Sequence, residues 1–187
     1  MGRHIESHLT IDGKSQVKDT AKYLKKMNID KVFASPVTRT VETADIISKD
    51  LGLDYQIDER LYEIELGKLV GMNYEDIINK HGNLFLKFYR ENDETLYNYG
   101  VESFAEVKKR IQNLLDEMVE RYPDENLLFV THLDPIKAVI SLLLDLKPEA
   151  LFKLHIRNAA LTIIKQEGGI LSLTGVNIMG IQRYMDE

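Results

Sequence analysis

The sequence contains no cysteine. Disulfides, thiolate metal sites and a cysteine nucleophile are therefore excluded. No apolar run approaches the ~18 residues of a membrane-spanning helix. The N-terminus lacks the apolar segment of a secretory signal, so a cytoplasmic protein is expected. A basic excess is also missing: 24 Lys and Arg stand against 30 Asp and Glu, for a formal net charge of -6. That balance argues against a general nucleic-acid binder, although single Arg or Lys residues can still line an anion pocket. No internal repeat, low-complexity segment or linker interrupts the chain. What is present is 187 residues, 44% of them hydrophobic, enough for one sizeable core. A single domain over residues 1–187 is expected, with an insertion at about 64–102.

Strand-like and helical stretches alternate. Thr10 reads as the cap of a helix over Gly13–Met27, whose Val17, Ala21 and Leu24 face inward. Its many Lys residues read as a solvated face. Lys31–Ala34 is a short strand. Ser35 reads as the cap of the next helix, with Pro36 at its first position. Val37, Val41, Ala44, Ile47 and Leu51 form its apolar stripe. Asp54–Ile57 is another short strand. Between Tyr62 and Ser103 glycines punctuate the chain, and helices are expected near Tyr74–Lys80 and Leu84–Glu91. Phe85, Phe88, Tyr89, Tyr97 and Tyr99 are expected to cluster there, as packing or as a substrate lid.

Ser103–Tyr122 carries the clearest helical spacing, with Phe104, Val107, Ile111, Leu114, Leu115 and Met118 on one face. Asn126–Thr131 reads as a buried strand and Asp134–Leu146 as a covered helix. Leu161–Lys165 and Ile170–Gly175 read as a hairpin turning at Gly168-Gly169. The alternation implies an α/β fold: a three-layer α/β/α sandwich around a mostly parallel sheet, with a small helical insertion over the active site.

Ligands of such folds bind at the carboxyl ends of the strands, where helix N-termini favour anions. His4 closes a very short first strand. Arg39 falls in the first turn after Phe33-Ala34, and His132 follows Leu127–Thr131. The pattern thus places Arg3, His4, Arg39 and His132 at one edge, where Glu63 could join them. Taken singly, each has a blander reading: a terminal residue, a solvated helix Arg, a satisfied core histidine. Glu102 and Ser103 could simply form a helix N-terminus. His8, His81 and His155 show no metal-ligand spacing, and no metal is expected.

The motifs gain weight in order. They are Arg3-His4-Ile5-Glu6-Ser7, then Leu9-Thr10-Ile11-Asp12-Gly13-Lys14-Ser15-Gln16, then Ser35-Pro36 with Arg39, Thr43 and Ala44. Leu61, Glu63 and Gly67 follow, then Gly100-Val101-Glu102-Ser103, Val130-Thr131-His132 and Asn158. From Arg3 to about Ile164 this series resembles branch 1 of the histidine phosphatase superfamily, the phosphoglycerate-mutase-like fold. The resemblance implies a metal-independent phosphomonoester hydrolase acting through a phosphohistidine on His4. Glu63 would serve as acid and base, and His132 would complete the catalytic set. Arg3, Arg39, Ser7 and Leu133 would bind the phosphate of a small-molecule ester. Arg suits that task because its planar fork matches phosphate oxygens in pairs.

Four departures from the family pattern stand out. Ile5 and Leu133 replace the glycines after each histidine, the first strand is nearly absent, and the loop after Ser7 is clipped. They motivate a catalytically impaired phosphate-binding module as one alternative. A cofactor-dependent phosphoglycerate mutase, using 2,3-bisphosphoglycerate, is the other; otherwise no cofactor is expected. The apolar final strands offer an edge for a homodimer.

Overall fold

Val32, Phe33 and Ala34 follow one another on a strand, so their side chains alternate between its two faces. All three are at most 3% exposed, so both faces are covered. The computed structural model describes residues 2–3, 6–90 and 94–179. The expected nucleophile His4, and Ile5 beside it, lie outside the described residues. Strand β1 (Lys31–Ala34) is central, with β2 (Tyr55–Ile57) and β3 (Leu127–Val130) paired parallel on either side. Covered parallel strands read as unbroken apolar runs, as Val32, Phe33 and Ala34 and then Leu127–Val130 do, whereas the edge strand β2 is largely exposed.

Val32 and Ala34 pack with Val17, Ala21 and Leu24 of helix α1 (Ile11–Leu24) and with Ala44 and Ile47 of α2 (Thr38–Leu51). Phe33 points the other way. It joins Ile111, Leu114 and Met118 of α6 (Phe104–Arg121) and Ala138 of α7 (Leu133–Leu144). The result is the expected helical layer on each face of a parallel sheet. Helix α6 begins with a full capping box: Ser103 Oγ accepts from the Glu106 N–H, and Glu106 accepts from the Ser103 N–H. That satisfies two donors left open by helix geometry. No helix among the described residues is long and apolar enough to cross a membrane.

One expected cap is corrected. Helix α2 starts at Thr38 with Val37 as its cap, and no side chain caps it. Ser35 is fully buried and serves a different partner, described below. The aromatic cluster is also corrected. Phe88 and Tyr89 do pack edge-on with Phe104, at 5.4 and 5.1 Å between ring centroids. Tyr99 packs against the same core while pairing with His81, and Tyr97 alone is exposed among those described.

The inserted stretch forms α3 (Tyr74–His81), α4 (Leu84–Arg90) and α5 (Glu94–Asn98). Its two ends meet at a tight neck. The Lys68 N–H donates to the Tyr99 carbonyl at 2.8 Å, and the Glu102 N–H to the Glu65 carbonyl at 2.9 Å. Gly67 sits there at φ +50°, where a Cβ would lie 2.1 Å from the Tyr99 carbonyl oxygen. Only glycine fits so close a backbone approach. After α7 comes α8 (Pro148–Lys153), then an antiparallel hairpin of β4 (Leu161–Glu167) and β5 (Ile170–Ile178). Gly168 and Gly169 turn it with φ of +56° and +81°, which suits a two-residue hairpin turn.

Candidate active site

The loops leaving the carboxyl ends of the parallel strands carry the candidate side chains. Ser35 follows β1 and His132 follows β3, the latter as the cap residue of α7. Arg39 lies in the first turn of α2. Glu63 follows β2 and a short 3-10 turn over Glu59–Leu61. The Thr131 hydroxyl donates to the Leu61 carbonyl at 2.8 Å, tying the His132 loop to the Glu63 loop.

Arg39 Nη1 donates to Ser7 Oγ at 3.0 Å, and Nη2 to His132 Nδ1 at 2.9 Å. A guanidinium has no acceptor, so Nδ1 must be the unprotonated nitrogen. The imidazole proton is then on Nε2, which donates to Ser35 Oγ at 2.8 Å. Burial first, and the charges of Arg39 and Arg110 second, drive the His132 pKa down to about 3. His132 is therefore neutral. Among the described residues, every hydrogen-bond partner of Arg39 is uncharged and none forms an ion pair with it. A partly buried positive charge left without a counter-ion is a place for an anion.

The opposite wall is acidic. Glu63 Oε1 accepts from the Ile64 N–H at 3.0 Å and the Asp134 N–H at 3.3 Å. Burial, then the charge of Asp134, pushes its pKa up to about 8. Asp134 is shifted up as well, mainly by burial, and its Oδ1 accepts from the Tyr89 hydroxyl at 2.7 Å. Two adjacent buried carboxyls cannot both ionise freely, so the pair retains a proton near neutrality.

The structure brings Ser7, Arg39 and His132 into one hydrogen-bonded chain, with Glu63 close enough to act on the Arg39 charge. Leu133, the first residue of α7, stands beside them 41% exposed. Arg3 takes other partners. Its Nη2 donates to Glu102 at 2.7 Å, its Nε lies 3.5 Å from Glu65, and its guanidinium covers the Tyr62 ring. Glu102 also accepts from Arg110 at 2.8 Å. His8 turns to Glu42, 2.6 Å away, which also accepts from the Leu9 N–H and so pins the loop carrying Ser7. Among the described residues no group of His, Asp and Glu could hold a metal ion.

A family model for the histidine phosphatase superfamily (branch 1) matches residues 1–179. The chain belongs to this superfamily. It is 32% identical over 182 residues to a 2,3-bisphosphoglycerate-dependent phosphoglycerate mutase of Thermoplasma acidophilum, covering 95% of this chain and 85% of that one. It is 28% identical to phosphoserine phosphatase 1 of Hydrogenobacter thermophilus, covering 87% and 77%. A solved mycobacterial glucosyl-3-phosphoglycerate phosphatase superposes with a TM-score of 0.82 at 25% identity, covering 96% and 92%. Family and relatives together support a phosphatase or mutase in the broad sense.

For a histidine phosphatase chain read from sequence, three participants were hidden. Ser35 looked like a helix cap, yet it receives the His132 proton donor. Asp134 stands two residues past His132, in the first turn of α7, and was a signal within reach. Tyr89 comes from α4, far away in sequence, and nothing local announces it.

Proposed function

We propose that the protein is a metal-independent phosphomonoesterase acting on a small phosphate ester through a phosphohistidine on His4. The observation that carries this reading is Arg39, a cation with only neutral partners at the strand ends, facing a carboxyl that stays protonated near neutrality. A phosphate dianion is the natural occupant of that gap. Arg39 would bind two of its oxygens, with Ser7 and the N–H of Leu133 at the start of α7 contributing further contacts, and Arg3 joining only by leaving Glu102 and Glu65. To bond phosphate, His132 would take the tautomer protonated on Nδ1, with the Ser35 hydroxyl then donating to Nε2.

In the first step a neutral His4 ring nitrogen attacks phosphorus. The bond to the leaving oxygen breaks, and Glu63 gives that oxygen its proton. In the second step water attacks phosphorus, the P–N bond breaks, and the Glu63 carboxylate takes the water proton. Such chemistry asks mainly for positioning and charge stabilisation. The raised pKa of Glu63 suits the first role, as with other tuned carboxylic acids.

A mutase reading is favoured by one observation, the likeness to the Thermoplasma acidophilum mutase. Hydrolysis is preferred because Leu133, beside His132, is open to solvent, and a mutase must shield its phosphohistidine from water. The test is phosphate release from p-nitrophenyl phosphate with chelator present, for the wild type and His4→Ala. Turnover that survives chelation and is lost in the variant supports the reading. Equal activity in both removes His4 from the mechanism. Conversion of 3-phosphoglycerate only when 2,3-bisphosphoglycerate is added supports the mutase instead.

A further inference from the structure

Asp134 is held from several sides. On α4, the Tyr89 hydroxyl donates to its Oδ1 at 2.7 Å. On α7, one turn further on, the buried Lys137 ammonium sits 4.8 Å above the Tyr89 ring. From α6, the Arg110 charge favours the ionised form of Asp134. Behind it is a small cavity of about 30 Å³ lined by insertion residues such as Met72, Phe85, Phe88 and Leu96, where Asp134 is the one charged side chain. In front is Glu63, whose Oε1 the Asp134 N–H reaches at 3.3 Å.

The surroundings of the two carboxyls are unequal. Asp134 has a hydroxyl donor and two nearby cations, Lys137 and Arg110. Glu63 has two backbone N–H donors and the charge of a single cation, Arg39, while neutral His132 adds none. A carboxylate is best stabilised where donors and cations converge, so the negative charge belongs on Asp134 and the proton on its neighbour.

We propose that Asp134 is a positioning residue, fixed in its ionised form by Tyr89 and Lys137, that keeps the transferable proton on Glu63. This rests on reading Glu63 as the proton donor to the leaving group. Asp134 need not touch substrate. Its charge makes loss of the Glu63 proton unfavourable until phosphate chemistry demands it.

The direct test is the titration of the Glu63 carboxyl, followed by carbon-13 NMR in the full chain. Wild type, Asp134→Asn and Tyr89→Phe would be compared. Asparagine keeps the size and the acceptor for Tyr89 but removes the charge. Phenylalanine keeps the packing and removes the donor. Both variants should lower the Glu63 midpoint, Asp134→Asn by about one pH unit or more, as expected on losing an adjacent like charge. An unchanged midpoint in folded Asp134→Asn overturns the proposal. If that variant fails to fold, an unchanged midpoint in Tyr89→Phe overturns it, and a lowered one supports it. Kinetics gives the matching readout: the alkaline limb of kcat for phosphoserine should move with the midpoint, while p-nitrophenyl phosphate, whose leaving group needs no proton, should respond little. Failure of the donor reading shows separately, as Glu63→Gln turning over phosphoserine at the wild-type rate.

Discussion

His132 and Glu63 sit on loops that follow the two strands flanking β1, and both are pressed into buried protein. Burial acts on them in opposite senses. It drives the proton off His132, with Arg39 and Arg110 adding to the effect. It holds the proton on Glu63, with Asp134 adding to that effect. The penalty on charge is common to both; what differs is which form of each group is charged. One wall therefore offers a fixed cation with a neutral imidazole beside it, and the other offers a neutral acid. A phosphate ester needs both, a cation for its dianion and a proton for its leaving oxygen.

The largest disturbance to this contrast should come from Arg39→Ala. It removes the uncompensated cation, and kcat/KM for a phosphate ester should fall about 10³-fold or more, measured by steady-state kinetics. Glu63→Gln removes the acid but keeps its size. Turnover of an alkyl phosphate monoester should fall about 10²-fold, and p-nitrophenyl phosphate turnover much less.

The pH dependence of stability separates the walls next. The folded pKa of His132 lies below its ordinary value of 6.5. Its contribution is thus present above pH 6.5 and lost as pH falls toward 3, at about 2 kcal/mol between pH 7 and pH 5. Glu63 has the reverse sign. Its contribution is full below 4.5 and lost as pH rises through about 8. Denaturant titrations across pH should show both limbs. His132→Asn should flatten the acid one and Glu63→Gln the alkaline one. The smallest effect should come from Ser35→Ala. It leaves the buried Nε2–H of His132 without its acceptor, costing about 1–3 kcal/mol in chemical denaturation.

The layers were legible because their signals are local. The apolar run at Lys31–Ala34 and the spacing from Phe104 to Met118 are read within one element. Helices α5 and α8 escaped because five and six residues give no measurable period. Within the site, Arg39, His132 and Glu63 were legible as motif members at strand ends. The partners they choose were not. Ser35 could cap a helix or accept from a histidine, and only the approach of β3 to β1 decides between them. Arg3 could face phosphate or carboxylates, and its placement against Glu102 depends on the turn before α6. The Tyr89–Asp134 bond joins residues 45 apart, beyond the reach of any local pattern.

The neck at Gly67 has an evolutionary meaning. Because both strands of chain leave and re-enter the main body at one pinched point, the intervening residues form a cassette. Closing a loop grows only slowly more costly with its length, so the cassette can be lengthened, shortened or rewritten while the catalytic frame stays unchanged. Proteins sharing this frame can diverge by editing that one segment, provided the residue at the pinch remains glycine.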